Sequence, residues 1–150
     1  MKFIAHRGNI DGVVHTEENT TNKIERALDL EFDVEIDVRY MDDKIFLGHD
    51  SPTEQIPMSF LLNRSDYLWI HAKDLKTFLF LLAFKKDLNI FLHDSDAATL
   101  TTKGYVWTHP NSVDFGYTSV ALKFEYVPGF VSTRLVYGIC SDNPEAFRNE

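Results

Sequence analysis

The spacing of apolar residues predicts most of the strands in this chain. Residues 3–6 form a short apolar run that stops at Arg7, which predicts a buried strand opening into a loop. Over residues 31–39 apolar and charged residues alternate, which predicts a strand with one apolar face and one charged face. The same criteria predict further strands at residues 44–47, 67–72, 89–93, 105–108, 120–124 and 135–140.

Helical spacing is found in three segments between these strands. Asn19 or Thr20 can cap a helix that follows the first loop, and a helical turn is predicted at residues 58–62. Asp74 can cap a longer helix over residues 75–86. That helix is apolar nearly all round, which predicts burial on more than one side. The early alternation of strands and helices predicts parallel strands covered by helices, whereas the chain beyond Pro110 is β-rich.

Composition favours one ordered domain over residues 1–150. Hydrophobic residues make up 44% of the 150 residues, which is close to the average of globular proteins. The formal net charge is −8 and the longest basic cluster is Lys85-Lys86, so a nucleic-acid partner is not expected. The longest apolar run, residues 78–84, is shorter than the roughly 20 residues of a membrane span. Because Cys140 is the single cysteine and the N-terminus lacks a secretory pattern, we expect a cytoplasmic protein.

Polar and ionisable residues gather at the carboxyl ends of four predicted strands. They are His6-Arg7, Glu35 and Asp37, His71 and Lys73, and His93-Asp94. Ligand sites in parallel α/β folds lie outside the carboxyl ends of the strands, so we expect these side chains to meet in one pocket. An alternating acidic strand is more often the solvated face of an antiparallel sheet, so Glu35 and Asp37 alone would be weak evidence. The joint pattern is what favours a site.

Several of these residues also belong to ordered motifs. The motifs are Ile4-Ala5-His6-Arg7-Gly8, Glu18-Asn19-Thr20, Val34-Glu35-Ile36-Asp37-Val38 and Gly48-His49-Asp50. In order and spacing they resemble the signature of the glycerophosphodiester phosphodiesterase family, with His71-Ala72-Lys73 where that family carries Glu-x-Lys. The resemblance is dense over about residues 3–73, roughly half of the chain. Further along, residues 138–142 resemble the last strand of the family and its following aspartate.

The resemblance implies a TIM-type barrel. Such a barrel typically uses about 250 residues, so a chain of 150 residues implies a reduced TIM-type β/α barrel. We expect its helices to be trimmed or missing in the second half. Outer strand faces without helices need another cover, and a second subunit is the simplest one, which predicts a homo-oligomer.

The resemblance also implies hydrolysis of a small-molecule phosphodiester with one divalent metal ion. The implied roles are general acid/base catalysis by His6 and His49, phosphate binding by Arg7 and Lys73, and metal ligation by Glu35 and Asp37. Imidazole suits proton transfer near neutral pH, and carboxylate oxygens suit Mg²⁺ or Ca²⁺.

Two departures from the family pattern change these expectations. His71 replaces a glutamate metal ligand, which should weaken binding of Mg²⁺ or Ca²⁺ and shift the preference toward Mn²⁺. Alternatively, Glu125 or Asp94 supplies the missing charge. Residues 51–57 lack the Arg-Thr-Thr run of the family, so the wall on the substrate side differs.

Three functions remain open at this stage. The first is a metal-dependent phosphodiesterase acting on a small polar diester that is linked to glycerol or a sugar. The second is a non-catalytic module that binds phosphate or metal on a decayed enzyme fold; the presence of both His6 and His49 speaks against it. The third is a lyase related to the phospholipase D toxins. It has little support in the sequence, because such toxins are secreted and usually carry disulfides, and Cys140 is the single cysteine here.

Overall fold

Ten strands form one mixed sheet in the computed structural model, which describes residues 1–109, 116–122 and 136–148. The strands are β1 (Lys2–His6), β2 (Asp33–Met41), β3 (Lys44–Leu47), β4 (Glu54–Ile56), β5 (Leu68–Ala72), β6 (Asn89–Leu92), β7 (Ala98–Leu100), β8 (Val106–Thr108), β9 (Ser119–Leu122) and β10 (Gly138–Ser141). The helices are α1 (Thr21–Asp29), α2 (Met58–Leu62), α3 (Leu75–Leu81) with a following 3-10 turn at Leu82–Phe84, and α4 (Pro144–Arg148).

The centre of the sheet is a run of parallel strands around β1. β1 pairs in parallel with β2 on one side and with β10 on the other. β5 and β6 extend the β2 side, and β9 and β8 extend the β10 side, all in parallel. The parallel strands predicted from the early part of the sequence are therefore confirmed, and their carboxyl ends share one edge of the sheet.

The prediction of a reduced TIM-type β/α barrel is wrong. The described residues form a curled mixed sheet that is mostly strand, and about 22% of them are helical. β3 and β4 pair antiparallel next to β2, and β7 pairs antiparallel with β8. The links from β6 to β7 and from β7 to β8 each hold five residues. Crossover helices need connections of about a dozen residues or more, so antiparallel strands stand where a barrel has helices.

Helix α1 begins where the sequence predicts it. Thr20 is the N-cap, and its hydroxyl accepts a hydrogen bond from the Lys23 amide at 3.3 Å. Ile24 and Ala27 are fully buried, because they lie on the face that packs against the sheet. Asn19, just before the cap, has a φ of +53°, and this turn directs its side chain toward β2.

Helix α3 departs from its prediction in length and in burial. Asp74 caps it as expected by accepting from the Thr77 amide at 2.7 Å, but the α-helix ends at Leu81. Burial on more than one side is wrong, since Leu75 and Leu79 are 60% and 59% exposed. The helix packs on the sheet with one face only, and no described element covers the other face.

Strand β2 is buried on both of its faces. Its apolar residues join the main hydrophobic core with α1 and α3. Its acidic residues Asp33, Glu35 and Asp37 are also buried, at 5%, 2% and 1% exposure. The alternation predicted from sequence is confirmed, but the charged face is enclosed by protein instead of solvent.

Some predictions fall partly outside the described residues. The strand predicted at 120–124 is described only as far as Leu122, and Glu125 lies outside the described residues. Strands β4 and β7 and helix α4 were not predicted from the sequence. In the described part of the chain, no helix has both the length and the apolar character that a membrane crossing requires.

Candidate active site and metal centre

One cavity of about 420 Å³ lies at the carboxyl ends of the parallel strands. The seven residues to which the resemblance or its departures gave a role all line it: His6, Arg7, Glu35, Asp37, His49, His71 and Lys73. The other lining residues are His93, Asp94, Trp107, His109 and Leu122. The sheet therefore brings together the residues that the sequence pattern grouped.

Strand register places three potential metal ligands side by side. In the parallel pair β2 and β5, Asp37 stands opposite His71, and Glu35 lies two residues earlier on the same face. One ligand atom from each of these residues lies within 4.8 Å of the other two. The His71 Nδ1 atom is 3.0 Å from Asp37 Oδ1 and 3.9 Å from Glu35 Oε1.

The outer nitrogen of His71 determines how its ring can act. Nε2 lies 3.0 Å from the carbonyl oxygen of His93, which can only accept, so Nε2 carries a proton and donates it. In the neutral ring the Nδ1 lone pair then faces the carboxylates. Histidines that bind metals are commonly held in this way, by a backbone carbonyl on the other nitrogen. The Phe91 ring stacks on His71 with centroids 5.0 Å apart and fixes its plane.

Asp37 is the most densely contacted carboxylate in the cavity. Asn19 donates to Oδ2 at 2.9 Å and accepts from the Asp37 amide at 2.9 Å. Arg7 Nε lies 3.1 Å from Oδ2, and Lys73 Nζ lies 3.4 Å from Oδ1. Burial would raise the pKa of Asp37, but the neighbouring His71, Lys73 and Arg7 together lower it below its ordinary value.

One oxygen of Asp37 supports a bound cation. Oδ1 is buried and has no hydrogen-bond partner within the described residues, with His71 Nδ1 3.0 Å away and Lys73 Nζ 3.4 Å away. When His71 is neutral with its proton on Nε2, its Nδ1 atom and Oδ1 are both acceptors that face each other, whereas a doubly protonated ring would donate from Nδ1 to Oδ1 and lower the pKa of Asp37. A cation between them would satisfy both, and such orphaned buried atoms require an explanation in a folded protein.

Glu35 is buried beside Asp37, and of the two carboxyl groups it is the one whose charged form is disfavoured. Burial and the charge of Asp37 raise the pKa of Glu35 well above its ordinary value, and Arg7 offsets this only in part. The Arg7 amide donates to Glu35 Oε2 at 3.2 Å. A divalent cation would favour the charged forms of both carboxylates, so the donor set of two carboxylates and one imidazole fits one.

The sequence left open whether His71, Glu125 or Asp94 completes the metal site. Asp94 lines the cavity but is not among the residues grouped with Glu35 and Asp37. Within the described residues, the structure therefore groups His71 with the two carboxylates. A mixed oxygen and nitrogen site suits Mn²⁺ better than Ca²⁺, which prefers oxygen ligands alone.

His6 is held by a residue for which the sequence predicted no role. Its Nδ1 lies 2.7 Å from Asp142 Oδ1, and Asn9 also donates to that oxygen at 3.0 Å. Because the carboxylate is an acceptor, Nδ1 carries the proton, and Nε2 is directed toward Glu35 at 3.9 Å. β10 pairs with β1 so that Ser141 stands opposite Ala5, which brings Asp142 next to His6.

The sequence contained only a weak signal for these positioning residues. Asp142 follows a short strand that resembles the last strand of the family, and Asn9 is part of no motif. Glu18 lies in a motif, and it accepts from Asn9 at 2.8 Å and approaches Arg7 at 3.5 Å. The contacts of Asp142 with His6 and Asn9 join the first loop to the end of β10, so they depend on pairing across more than 130 positions.

His49 reaches the same cavity from the loop after β3. Gly48 has a φ of +142°, and a Cβ atom there would lie 2.0 Å from the Ser51 carbonyl oxygen. Arg39 donates to the carbonyl oxygens of Gly48 and His49 and so fixes the loop. The His49 side chain is 38% exposed, and its Nδ1 lies 2.7 Å from Asp50 Oδ1.

Comparison with known proteins identified no relative of this chain. No family model matches the chain. No curated protein and no solved structure matches it either. The cavity itself and the motifs in the sequence are therefore what indicate the function of this chain.

Proposed function

We propose that this protein is an enzyme that hydrolyses a small phosphodiester in this cavity with one divalent metal ion. The observation that carries the proposal is the convergence of an imidazole pair, two cations and a carboxylate–imidazole ligand set on one cavity of about 420 Å³. Phosphodiester hydrolysis needs all three components: proton transfer, phosphate binding and charge neutralisation. The motif resemblance points independently of the geometry to the same residues.

Glu35, Asp37 and His71 would hold the metal. When bound there, a divalent ion neutralises phosphate charge and polarises the bonds to phosphorus. The Nδ1 position of His71 and the unsatisfied Oδ1 of Asp37 support this assignment. Mn²⁺ is the ion that fits best, with Mg²⁺ and Ca²⁺ as weaker alternatives.

His6 and His49 divide the proton transfers. His6 Nε2 takes the proton of the attacking hydroxyl, while Asp142 holds the proton on Nδ1. His49 gives a proton to the leaving oxygen, so the alcohol departs neutral. The attacking hydroxyl belongs to water or to a substrate group beside the phosphate; a cyclic phosphate formed in the second case is opened by water.

Arg7 and Lys73 bind the non-bridging phosphate oxygens. Both side chains are mostly buried, and both lie within 3.4 Å of Asp37 on one wall of the cavity. The planar Arg7 guanidinium suits two oxygens of one phosphate, whereas Lys73 contributes a point charge. These local cations make an anionic substrate compatible with a chain whose net charge is −8.

The size and lining of the cavity limit the substrate class. Ligand cavities span about 300–1,000 Å³, so about 420 Å³ indicates a small molecule. The lining is mostly imidazole, carboxylate and cationic groups. A glycerol- or sugar-linked phosphodiester has the polarity to match it.

Self-association and a cytoplasmic location stay predictions, and sedimentation velocity tests the first.

The test is hydrolysis of bis(4-nitrophenyl) phosphate with Mg²⁺, Mn²⁺ or Ca²⁺. We expect wild type to release 4-nitrophenol and His6→Ala to lose about 10²–10⁴-fold in rate. His15→Ala is the matched control, because His15 is 86% exposed and does not line the cavity. Equal rates for wild type and His6→Ala in every metal would show that the site is not catalytic. Tight phosphodiester binding by calorimetry without turnover would favour a non-catalytic binding module.

A further inference from the structure

A second cavity of about 340 Å³ lies at the opposite end of the sheet. Its walls come from the amino ends of the same parallel strands, at Lys2, Asp33, Trp69 and Asn89. Tyr105 and Tyr137, which immediately precede β8 and β10, complete them. The proposed hydrolysis uses none of these residues.

Aromatic rings form much of this wall. The Trp69 ring lies 5.1 Å from the Tyr105 ring and 6.1 Å from the Tyr137 ring, and the two tyrosine rings are 4.3 Å apart. The hydroxyl groups of Tyr105 and Tyr137 share a hydrogen bond at 3.2 Å. Donation of the Tyr137 proton in this pair, together with burial, raises the pKa of Tyr137 to about 12, so the phenol stays neutral. Neutral aromatic rings attract cations through their electron-rich faces.

The positive groups at this cavity are already occupied. Lys2 Nζ lies 2.9 Å from Asp33 Oδ1, and Trp69 Nε1 donates to the other oxygen of Asp33 at 3.1 Å. Lys103 Nζ donates to the carbonyl oxygen of Lys86. An incoming anion would have to displace one of these contacts.

The groups without partners at this cavity are acceptors. Asn89 is 6% exposed, and its Oδ1 is buried without a hydrogen bond in the described part of the chain. The exposed carboxylates of Asp66 and Asp87 also line the cavity, and neither makes an ion pair with a described residue. Acceptors and negative charge beside aromatic rings suit a ligand that carries positive charge and N–H donors.

We propose that this second cavity binds a small organic cation, an amine or a guanidinium compound. The cation lies against the rings of Tyr105 and Tyr137 near Trp69. Its N–H groups donate to Asn89 and to the rim carboxylates Asp66 and Asp87. A volume of about 340 Å³ fits a compound of this size.

The two tryptophans make the proposal testable by NMR, because the chain has one at each cavity. Trp69 lines the second cavity and Trp107 lines the first, and their rings lie 5.8 Å apart. We expect 1,4-diaminobutane to shift the indole N–H signal of Trp69 saturably and by more than it shifts that of Trp107. The neutral analogue 1,4-butanediol should shift neither signal. A diamine that moves the Trp107 signal as much as or more than the Trp69 signal, or moves neither signal, would overturn the proposal.

Charge variants on the rim provide the second readout. The double variant Asp66→Asn/Asp87→Asn changes exposed residues, so it should fold normally, and we expect it to bind the diamine at least tenfold more weakly. Asp29→Asn is the matched control, since Asp29 is exposed and does not line the cavity. Unchanged affinity in the double variant would also overturn the proposal. Phosphodiester hydrolysis should be equal in all of these variants, so this test does not depend on the proposed function.

Discussion

Glu35 offers a prediction that separates function from stability. Its carboxyl group is 2% exposed, and burial together with Asp37 raises its pKa. In the absence of metal, the ionisable carboxyl group of Glu35 therefore destabilises the folded state at neutral pH. Glu35→Gln keeps the size and the hydrogen-bonding oxygen but removes the charge. We expect this variant to be more stable than wild type when metal is removed.

The size of the gain can be bounded from linkage. A carboxyl group whose pKa is raised by folding destabilises the folded state by about 1.4 kcal/mol per pH unit. The interval that counts begins at the ordinary pKa of 4.5 and ends at the folded pKa or at the working pH, whichever is lower. At pH 7 the interval is at most 2.5 pH units, so the cost cannot exceed about 3.5 kcal/mol, and we expect a gain of about 1–3 kcal/mol. Each kcal/mol raises the thermal midpoint by about 2–4 °C in a domain of this size.

Asp37→Asn is the matched comparison and should act in the opposite direction. Asp37 is as buried as Glu35, but its folded pKa is lowered by His71, Lys73 and Arg7. Its stabilising contribution is fully present above its ordinary value of 3.8 and is lost as the pH falls through the folded pKa. Breaking this buried ion-pair cluster should cost about 3–5 kcal/mol at pH 7.

The pH dependence of the Glu35 effect follows from the opposite sign. Because the folded pKa of Glu35 is raised, the metal-free protein loses stability as the pH rises above 4.5 toward that pKa. The gain of Glu35→Gln should therefore be present at pH 7 and nearly absent at pH 4. The assay is urea unfolding in EDTA at both values. If Glu35→Gln destabilised the protein as much as Asp37→Asn at pH 7, the assignment of unfavourable charge to Glu35 would be refuted.

Three further predictions concern positioning and metal choice. Asp142→Asn removes the carboxylate partner of His6, so it should lower kcat about 10²-fold with little change in KM. It should also move the acid limb of the pH–rate profile to lower pH. An unchanged profile would contradict the role of Asp142 in positioning His6. Gly48→Ala should destabilise the protein by about 1–3 kcal/mol and reduce turnover, since its Cβ meets the Ser51 carbonyl oxygen; a midpoint equal to wild type in thermal denaturation would count against the described loop. His71→Glu should strengthen binding of Mg²⁺ and Ca²⁺ relative to Mn²⁺ in calorimetric titrations, because an oxygen replaces the nitrogen ligand. Unchanged ratios of the three affinities would show that His71 is not a ligand.

Local patterns predicted the strands that carry the candidate site. Alternation from residue 31 to 39 located Glu35 and Asp37 on one face of β2, and the parallel pairing to β5 then placed His71 beside Asp37. Period and strand order predicted that these residues would share one cavity, whereas the register that sets His71 opposite Asp37 comes from the structure. Asp142 could not be predicted in this way, because its contact with His6 depends on the register between β1 and β10.

Other errors come from effects that a single segment does not encode. The apolar residues of 75–86 predicted burial all round, but whether a second layer covers a helix depends on the rest of the chain, and Leu79 is exposed. The barrel prediction followed from the resemblance and from early strand–helix alternation. β7 shows the difference: residues 98–100 pair antiparallel with β8, in a stretch where a barrel would need a crossover helix.

The central claim is that Glu35, Asp37 and His71 hold the metal that makes this cavity catalytic. Its most direct test is the rate of bis(4-nitrophenyl) phosphate hydrolysis by metal-stripped protein as Mn²⁺ is restored. We predict that wild type gains rate saturably with Mn²⁺, whereas Glu35→Gln remains at background although it is folded and more stable without metal. If Glu35→Gln regained the wild-type rate at the same Mn²⁺ concentrations, the proposed metal centre would be contradicted.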